Sequence, residues 1–479
     1  MSRHSLARVL AALALACATF LALVGAAHGL PAGRPRNVPS DLWGATAGGA
    51  AVEFLLVLPE QADLGKAGDL DGRAERLSYV YDELREVAER SQRALRAELD
   101  AAGVAYRSCY IVNMLVVEGD RALLTGLASR ADVDRVVANP RVLQDLPPDQ
   151  PAPLGQRAPG AVEWNVSRIK ADDVWALGYT GQGVVVAGQD TGYDWTHPAL
   201  INQYRGYNGI TATHDYNWHD AIHGGGGVCG ADSPVPCDDG DHGTHTMGTI
   251  VGDDGGANQI GVAPGAEWIG CRNMDRGYGT PATYAECFEF FLAPYPVGGD
   301  PFTEGDPSKA PHVINNSWTC PPFEGCDWDT LQMMVENVQA AGILVVASAG
   351  NAGSSCSTVS DPPAIYDASF TVGATTSSDV IASYSSRGPV TVDGSGRIKP
   401  DVSAPGSGVR SSVPGTSYSY KSGTSMAGPH VAGTAALLWS AAPCLIGDVD
   451  TTEWMIGQST RPASSGACGG DPSGRPNNV

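Results

Sequence analysis

Ser425 lies in a segment bracketed by glycines, GTSMAGPHVAG at residues 423–433. The following residues, 426–439, contain no Lys, Arg, Asp or Glu, which is typical of a helix buried on all sides. Such a helix would tolerate Pro429 in its first turn, and Gly433 would let neighbouring backbone come close. Its N-terminus would offer N–H groups and positive potential beside Ser425. We therefore interpret Ser425 as a candidate nucleophile, although a serine at a helix start is more often only an N-cap.

Two upstream segments contain the groups that a serine nucleophile needs, QDTG at 189–192 and DHGTH at 241–245. A hydroxyl reacts poorly at neutral pH unless a base accepts its proton and a third group orients that base. His242 is the candidate base and His245 its competitor. Asp190 ends an apolar run, so its carboxylate needs a partner, and orienting His242 would supply one. The alternative is that Asp190 only caps the turn that follows it.

These three segments, in the order Asp, His, Ser, resemble those of subtilisin-like serine peptidases, the subtilases. The finer sequence of residues 190–200 and of residues 315–318 (NNSW) resembles that of the bacillopeptidase F branch of the family. The resemblance covers roughly residues 50–479. It implies a serine endopeptidase in which the first histidine of HGTH acts as the base and the second is a packed structural residue.

The resemblance also implies an oxyanion-stabilising residue and a substrate pocket. Asn351, in the segment AGNAG at 349–353, matches the family's oxyanion asparagine, and the backbone N–H of Ser425 would be the second donor. An asparagine between glycines is otherwise an ordinary turn residue. By the same analogy Ser317, Trp318, Ala349 and Gly350 bind substrate. Trp318 departs from the small residue common in subtilisins, so it is expected to narrow or shield the pocket.

Composition limits the class of partner. The net charge of −22 argues against nucleic acid or an anionic membrane, because binding phosphate needs clustered Lys and Arg. The N-terminus has Arg3 and Arg8 followed by an uncharged run over residues 9–27, so we predict a signal peptide at 1–29 and a secreted protein. The alternative is an uncleaved membrane anchor, because the run is near the length of a membrane span.

Apart from Cys17, ten cysteines remain, and in an exported protein most should form disulfides. Close spacing favours Cys229–Cys237 and Cys320–Cys326, whereas Cys271–Cys287 and Cys444–Cys468 are weaker predictions. Zinc binding is the rival interpretation, but the sequence contains no CxxC motif.

Residues 50–146 have the pattern βαββαβ, which predicts a small ferredoxin-like α+β domain without a catalytic motif. By position it looks like the propeptide of subtilases, which assists folding and occupies the active site until it is cut away. An unrelated small module is the alternative. The Pro-rich stretch at 147–163 is predicted to be an exposed linker, with maturation in it or just before it.

Residues 164–479 alternate short apolar runs with helical patterns, which predicts an α/β fold with a parallel sheet covered by helices on both faces. Active sites in such sheets lie at the carboxyl ends of the strands, and both Asp190 and Asn351 follow predicted strands. The family normally continues past a segment like Pro476-Asn477-Asn478, so we expect the last C-terminal elements of this domain to be missing; the alternative is that the fold closes differently.

No cofactor is expected for the chemistry. Structural calcium is common in the family, and Gly-rich loops contain acidic residues that either bind calcium or are simply solvated: Asp232, Asp238, Asp239, Asp253 and Asp254. Two other functions remain open. One is an acid-active serine-carboxyl peptidase, against which His242 argues, and the other is an inactive subtilase scaffold serving as a secreted binding or surface protein.

Overall fold

The computed structural model describes residues 33–144, 162–225, 227–322, 325–461 and 468. The predicted signal peptide, most of the predicted linker and the segment around Pro476 lie outside the described residues. Among the helices that are described, none is long and apolar enough to cross a membrane.

The described chain divides into two compact units. The first, which includes residues 88–108 and 113–139, contains a four-stranded sheet in the order β2-β3-β1-β4, with β1 antiparallel to both β3 and β4. Its strands are β1 Val52–Val57, β2 Tyr106–Cys109, β3 Met114–Gly119 and β4 Arg135–Ala138. Its helices are Ser40–Ala45, Arg121–Ala128 and the part of Arg73–Ala102 from residue 88 onward. This is the predicted βαββαβ order, and it gives the ferredoxin-like topology.

The core of this unit follows from periodicity. In β1, Phe54 and Leu56 point to the same face, as expected for residues two apart, and both are buried. On the long helix Leu95 and Leu99 are one turn apart and belong to the same apolar cluster.

The second unit contains a seven-stranded sheet in the order β14-β13-β12-β11-β6-β8-β7, and all of its pairings are parallel. The strands are β6 Val185–Asp190, β7 Trp218–Asp220, β8 Glu267–Arg272, β11 Val313–Asn316, β12 Leu344–Ser348, β13 Phe370–Thr375 and β14 Val402–Pro405. The central strands β11 and β12 are buried along their whole length, which explains why they are continuous apolar or uncharged runs.

Helices cover both faces of this sheet. His242–Val251 and Thr424–Ala441 pack against each other and against the sheet, as do Pro281–Leu292 and Gln332–Ala340. The other described α-helical segments of this unit are the part of Arg73–Ala102 up to residue 87, Trp164–Arg168, Ala171–Trp175 and Val449–Ser459. The predicted α/β architecture is therefore confirmed.

Two small antiparallel sheets complete the second unit. In the three-stranded one, β10 (Tyr278–Gly279) pairs with β9 (Met274–Asp275) and with β5 (Val142–Leu143). The other is the hairpin of β15 (Val409–Val413) and β16 (Ser417–Lys421).

Four disulfides are described. Three are the predicted pairs Cys229–Cys237, Cys271–Cys287 and Cys320–Cys326. The predicted pair Cys444–Cys468 is wrong, because Cys468 bonds to Cys356, whose Cα atom is 5.4 Å away, and Cys444 is exposed. These partners are 112 residues apart, so only the tertiary fold brings them within disulfide distance.

Candidate active site

The side chains named from the motifs gather at the carboxyl ends of neighbouring strands. Strand β6 ends at Asp190, and the next strand of the sheet, β11, leads directly into Ser317. Strand β12 ends at Ser348, just before Asn351. Because parallel strands end at the same edge of a sheet, these residues converge although they are far apart in sequence.

Asp190 and His242 form a buried pair. Asp190 Oδ1 lies 2.7 Å from His242 Nδ1, and both side chains are about 1% exposed. The same carboxylate accepts hydrogen bonds from Thr191 N (2.8 Å) and from Thr246 Oγ1 (3.3 Å). These donors fix the carboxylate, which in turn orients the imidazole at the first residue of the His242–Val251 helix.

A second carboxylate, Asp238, stabilises the loop that leads into this helix. It accepts five hydrogen bonds from Thr191 Oγ1, Thr244 Oγ1 and the backbone N–H groups of Gly240, Asp241 and Thr244, at 2.6–3.0 Å. Burial raises the pKa of Asp238, while these donors act in the opposite direction. Asp238 thus connects Thr191, which follows Asp190, to residues before and after His242 in the chain.

His245, the competing base, lies away from this group. Its Nε2 faces the carbonyl oxygens of Val409 (3.1 Å) and Ser419 (3.2 Å) in the β15–β16 hairpin. Complete burial lowers the pKa of His245 to about 3, with smaller contributions from Lys421 and His242. It is a neutral, packed residue.

Ser425 is the second residue of the Thr424–Ala441 helix and exchanges hydrogen bonds with Ser317. Its Oγ donates to Ser317 O, and Ser317 Oγ donates to Ser425 O, each at 3.0 Å. The second bond replaces a helical one: the donor to Ser425 O would be the N–H of Pro429, which proline lacks. The expectation that Pro429 lies in the first turn is therefore wrong, since it is the sixth helical residue and Ser317 compensates for it.

Asn351 is bonded to the residue before Ser425. Its Oδ1 accepts from Thr424 N (2.9 Å) and from Thr424 Oγ1 (3.1 Å). These bonds engage the amide oxygen, and within the planar amide the NH₂ group points in a different direction from that oxygen. Asn351 also lines the same cavity as Ser425.

That cavity includes most of the predicted substrate-binding residues. Ser317, Trp318 and Gly350 line it, whereas Ala349 does not. The Trp318 ring is buried and stacks on Tyr284 with ring centroids 3.9 Å apart, while its Nε1 donates to Gln189 O at 3.1 Å. Trp318 is thus a fixed wall of the cavity.

One residue that the motifs did not indicate, Gln144, lies directly at this site. Its Nε2 lies 2.9 Å from His242 Nδ1 and 3.1 Å from His242 Nε2, and it donates to Ser317 O at 2.9 Å. Its backbone N–H donates to Gly277 O at 2.9 Å, which extends the β5–β10 pairing by one residue. The described hydrogen bonds of Ser425 and His242 include none between these two residues. Gln144 lies against the imidazole instead.

The five acidic residues considered for calcium do not converge. Among the residues that the structure describes, no three His, Cys, Asp or Glu side chains form a metal-binding group. Both carboxylate oxygens of Asp238 are already occupied by the donors described above, and Asp253 and Asp254 accept from backbone N–H groups in their own turns. These side chains therefore do not fit a shared calcium site, and bound calcium elsewhere stays a prediction.

Comparison with known proteins identifies the family. The model described as the subtilase family matches residues 181–467, which is more than half of the chain. The chain belongs to the subtilase family. This match confirms the resemblance that the motifs indicated. Serine-type endopeptidase, the predicted class of enzyme, is the class of this family.

Three relatives agree with the assignment. The subtilase is 38% identical to bacillopeptidase F of Bacillus subtilis (strain 168) over 404 residues, which are 80% of this chain and 27% of that protein. It is 33% identical over 285 residues to subtilisin E of the same strain, covering 59% of this chain and 62% of that protein. The subtilisin of Bacillus pumilus is also 33% identical over 285 residues, which are 59% of this chain and 86% of that protein. This subtilase thus spans about a quarter of bacillopeptidase F.

Proposed function

We propose that this subtilase is a secreted serine endopeptidase that hydrolyses peptide bonds of proteins and is made as a zymogen that processes itself. Ser425 is the nucleophile, His242 the general base and acid, Asp190 the residue that orients His242, and Asn351 an oxyanion donor. The proposed partners are protein substrates and the protein's own propeptide. Its charge of −22 argues against nucleic acid.

One observation carries the proposal. The strand β5, at the end of the N-terminal part of the chain, pairs with β10, and the next residue, Gln144, reaches His242 and the Ser425 cavity. A peptide that adds to an exposed strand edge and ends at a nucleophile is bound as a peptidase substrate is bound. The segment therefore occupies the position expected of a substrate.

The geometry suggests how the reaction proceeds. The Gln144 side chain leaves the imidazole, and the Ser425 hydroxyl turns from Ser317 O towards His242 Nε2. Ser425 Oγ then attacks the peptide carbonyl carbon while His242 accepts its proton, and Asp190 stabilises the resulting imidazolium. The negative oxygen of the tetrahedral intermediate accepts hydrogen bonds from the Asn351 amide and from Ser425 N–H. His242 gives the proton to the leaving amine as the C–N bond breaks, which leaves the acyl group on Ser425 Oγ. Water then attacks the acyl carbon while His242 accepts its proton, and the C–Oγ bond breaks as His242 returns that proton to Ser425 Oγ.

Two further features support export and processing. The uncharged run at 9–27 after two arginines is typical of a signal peptide. Four disulfides among the described residues suit an oxidising compartment. Because Gln144, the residue that follows β5, reaches His242, we expect the maturation cleavage in the residues that come after it, 145–163.

The test compares the exported full chain with its Ser425→Ala variant. We expect the parent to react with a serine-directed fluorophosphonate and to gain a new N-terminus within residues 145–163, as measured by mass spectrometry. The variant should stay unlabelled and full-length, since removing the nucleophile of such a triad lowers turnover about 10⁶-fold.

Ser308→Ala is the matched control, because Ser308 lies on an exposed turn and bonds only within it. It should mature and react as the parent does. A parent that stays full-length and unlabelled would contradict the proposal and favour the inactive scaffold.

A further inference from the structure

The segment that ends at Gln144 contacts a second group of side chains, away from the Ser425 cavity. Its strand β5 pairs with β10 in an antiparallel register. Arg141 is the residue just before β5, three residues before the one that reaches His242. A substrate that follows the same path would place a side chain where Arg141 lies.

The Arg141 guanidinium contacts both a carboxylate and an aromatic ring. Its Nη2 lies 3.7 Å from Asp275 Oδ2, and its Cζ lies 4.9 Å from the centre of the Tyr278 ring. The Asp275 side chain is only 9% exposed, whereas Tyr278 is 40% exposed and forms an open wall. A carboxylate and the face of an aromatic ring both attract a cation. An uncharged side chain at this place would lose both attractions.

Asp275 also has a partner next to it in the chain. Arg276 Nε lies 3.2 Å from Asp275 Oδ1, and the Arg276 side chain is 56% exposed. Solvent screens such an exposed pair, so Arg276 balances the Asp275 charge only in part.

Two further carboxylates lie on the same side of β10. Arg272 is buried and lies 3.3 Å from Asp220 Oδ2 and 3.2 Å from Asp239 Oδ2. A Cβ atom on Gly227 would lie 2.3 Å from Asp239 Oδ2 and 3.2 Å from Asp275 Oδ1, so these two carboxylates lie close together. Asp275 therefore belongs to an acidic group rather than to an isolated pair.

The charges of this group balance only when the segment is bound. In the described ion pairs the three carboxylates Asp220, Asp239 and Asp275 share two arginines, Arg272 and Arg276. The guanidinium of the bound segment supplies the third positive charge. Once the segment has left, a Lys or Arg of an incoming peptide would restore the balance, and an acidic side chain would be repelled.

We propose that Asp275 and Tyr278 select substrates with Arg or Lys three residues before the residue whose carbonyl Ser425 attacks. The proposal rests on the proposed peptidase function and adds to it the class of peptide that is cut. Arg is preferred to Lys, because its planar guanidinium stacks on the Tyr278 ring while it faces the carboxylate. Acidic residues at that position give the poorest substrates.

The test uses the matured protein and four fluorogenic peptide amides, X-Val-Leu-Gln, which copy residues 141–144 and release a dye when the bond after Gln is cut. X is Arg, Lys, Glu or citrulline, which has the shape of arginine without its charge. We expect kcat/KM for Arg about tenfold above citrulline, because an exposed ion pair and a cation–π contact are each worth a factor of about three. Glu should give the lowest value.

Variants assign the preference to its residues. Asp275→Asn and Tyr278→Leu should each lower the ratio of Arg to citrulline cleavage about threefold. Because the ratio compares two peptides on one protein, a general loss of activity cancels. Asp367→Asn is the matched control, since it makes the same change of charge on a side chain that is 93% exposed and pairs with Arg397. It should keep the parental ratio.

The outcomes separate the two proposals. A parent that takes the fluorophosphonate label and cuts the citrulline peptide as fast as the Arg peptide overturns the selection but leaves the peptidase function intact. A labelled parent that cuts none of the four peptides does the same, because the proposal places this sequence at Ser425. A parental ratio in Asp275→Asn overturns the role of Asp275. If that variant does not fold, the parent and Tyr278→Leu decide. A parent that takes no label and cuts no peptide overturns both proposals.

Discussion

Two carboxylates hold His242, one directly and one through its neighbours. Asp190 bonds the imidazole, and Asp238 bonds the backbone and hydroxyl groups on both sides of it. Each is buried with several donors, which is the condition under which a charge is tolerated inside a protein. Asn351 is fixed in a comparable way, because Thr424 donates two hydrogen bonds to its amide oxygen.

At this scale we predict that Asn351→Ala lowers kcat by about 10²–10³ with little change in KM, because the amide acts on the transition state more than on the bound substrate. Steady-state kinetics on one quenched peptide measures this. Asn208→Ala is the control, since Asn208 lies in an exposed turn and should give parental kinetics. A kcat within threefold of the parent would contradict the role of Asn351.

Two elements place Ser425 and the β5 segment near each other: the Thr424–Ala441 helix contains Ser425, and strand β10 pairs with β5. The helix approaches its neighbours closely, and a Cβ atom on Gly433 would lie only 2.6 Å from Val262 Cβ. Strand β10 pairs with β9 on one side and with β5 on the other. The β5 segment is thus held by backbone hydrogen bonds that a substrate of any sequence could also form.

At the scale of elements we predict that Gln144→Pro slows maturation, because proline removes the N–H that donates to Gly277 O. Gln144→Ala keeps that N–H and loses only the side chain at His242, so it should mature at least as fast as the parent. Gel densitometry of the full-length and mature forms over time measures both. Equal rates for the two variants would show that the backbone bond does not position the segment.

Several histidines of the second unit are buried, and burial keeps them neutral near pH 7. Burial lowers the pKa of His245 and of His312 to about 3 and that of His430 to about 4. In the unfolded chain a histidine has a pKa near 6.5. Between these values the unfolded state binds more protons, so stability falls as the pH drops below about 6.5 and continues to fall towards pH 4.

We therefore predict that the Ser425→Ala protein, which lacks the proposed nucleophile, loses thermal stability steadily between pH 6.5 and pH 4. Each such histidine contributes up to about 1.4 kcal/mol per pH unit in this window. His430→Gln should make the dependence of Tm on pH shallower, whatever its effect at pH 8. Scanning calorimetry at several pH values is the measurement, and an unchanged slope in the variant would contradict the assignment.

The sequence by itself determined the order of elements and the motif residues Asp190, His242, Ser425 and Asn351. These were readable because strand and helix periodicity is local, and because a motif keeps its residues within a few positions of one another. Only the tertiary structure decided what lies between distant segments: Gln144 against His242, Arg141 against Asp275, and Cys356 as the partner of Cys468. From the sequence, Asp238 could be identified only as a candidate calcium ligand. Its hydrogen bonds to Thr191 and Thr244, which help to hold His242 four residues later, depend on packing. Such contacts join residues far apart in sequence, and no local pattern encodes which distant surface a loop will meet.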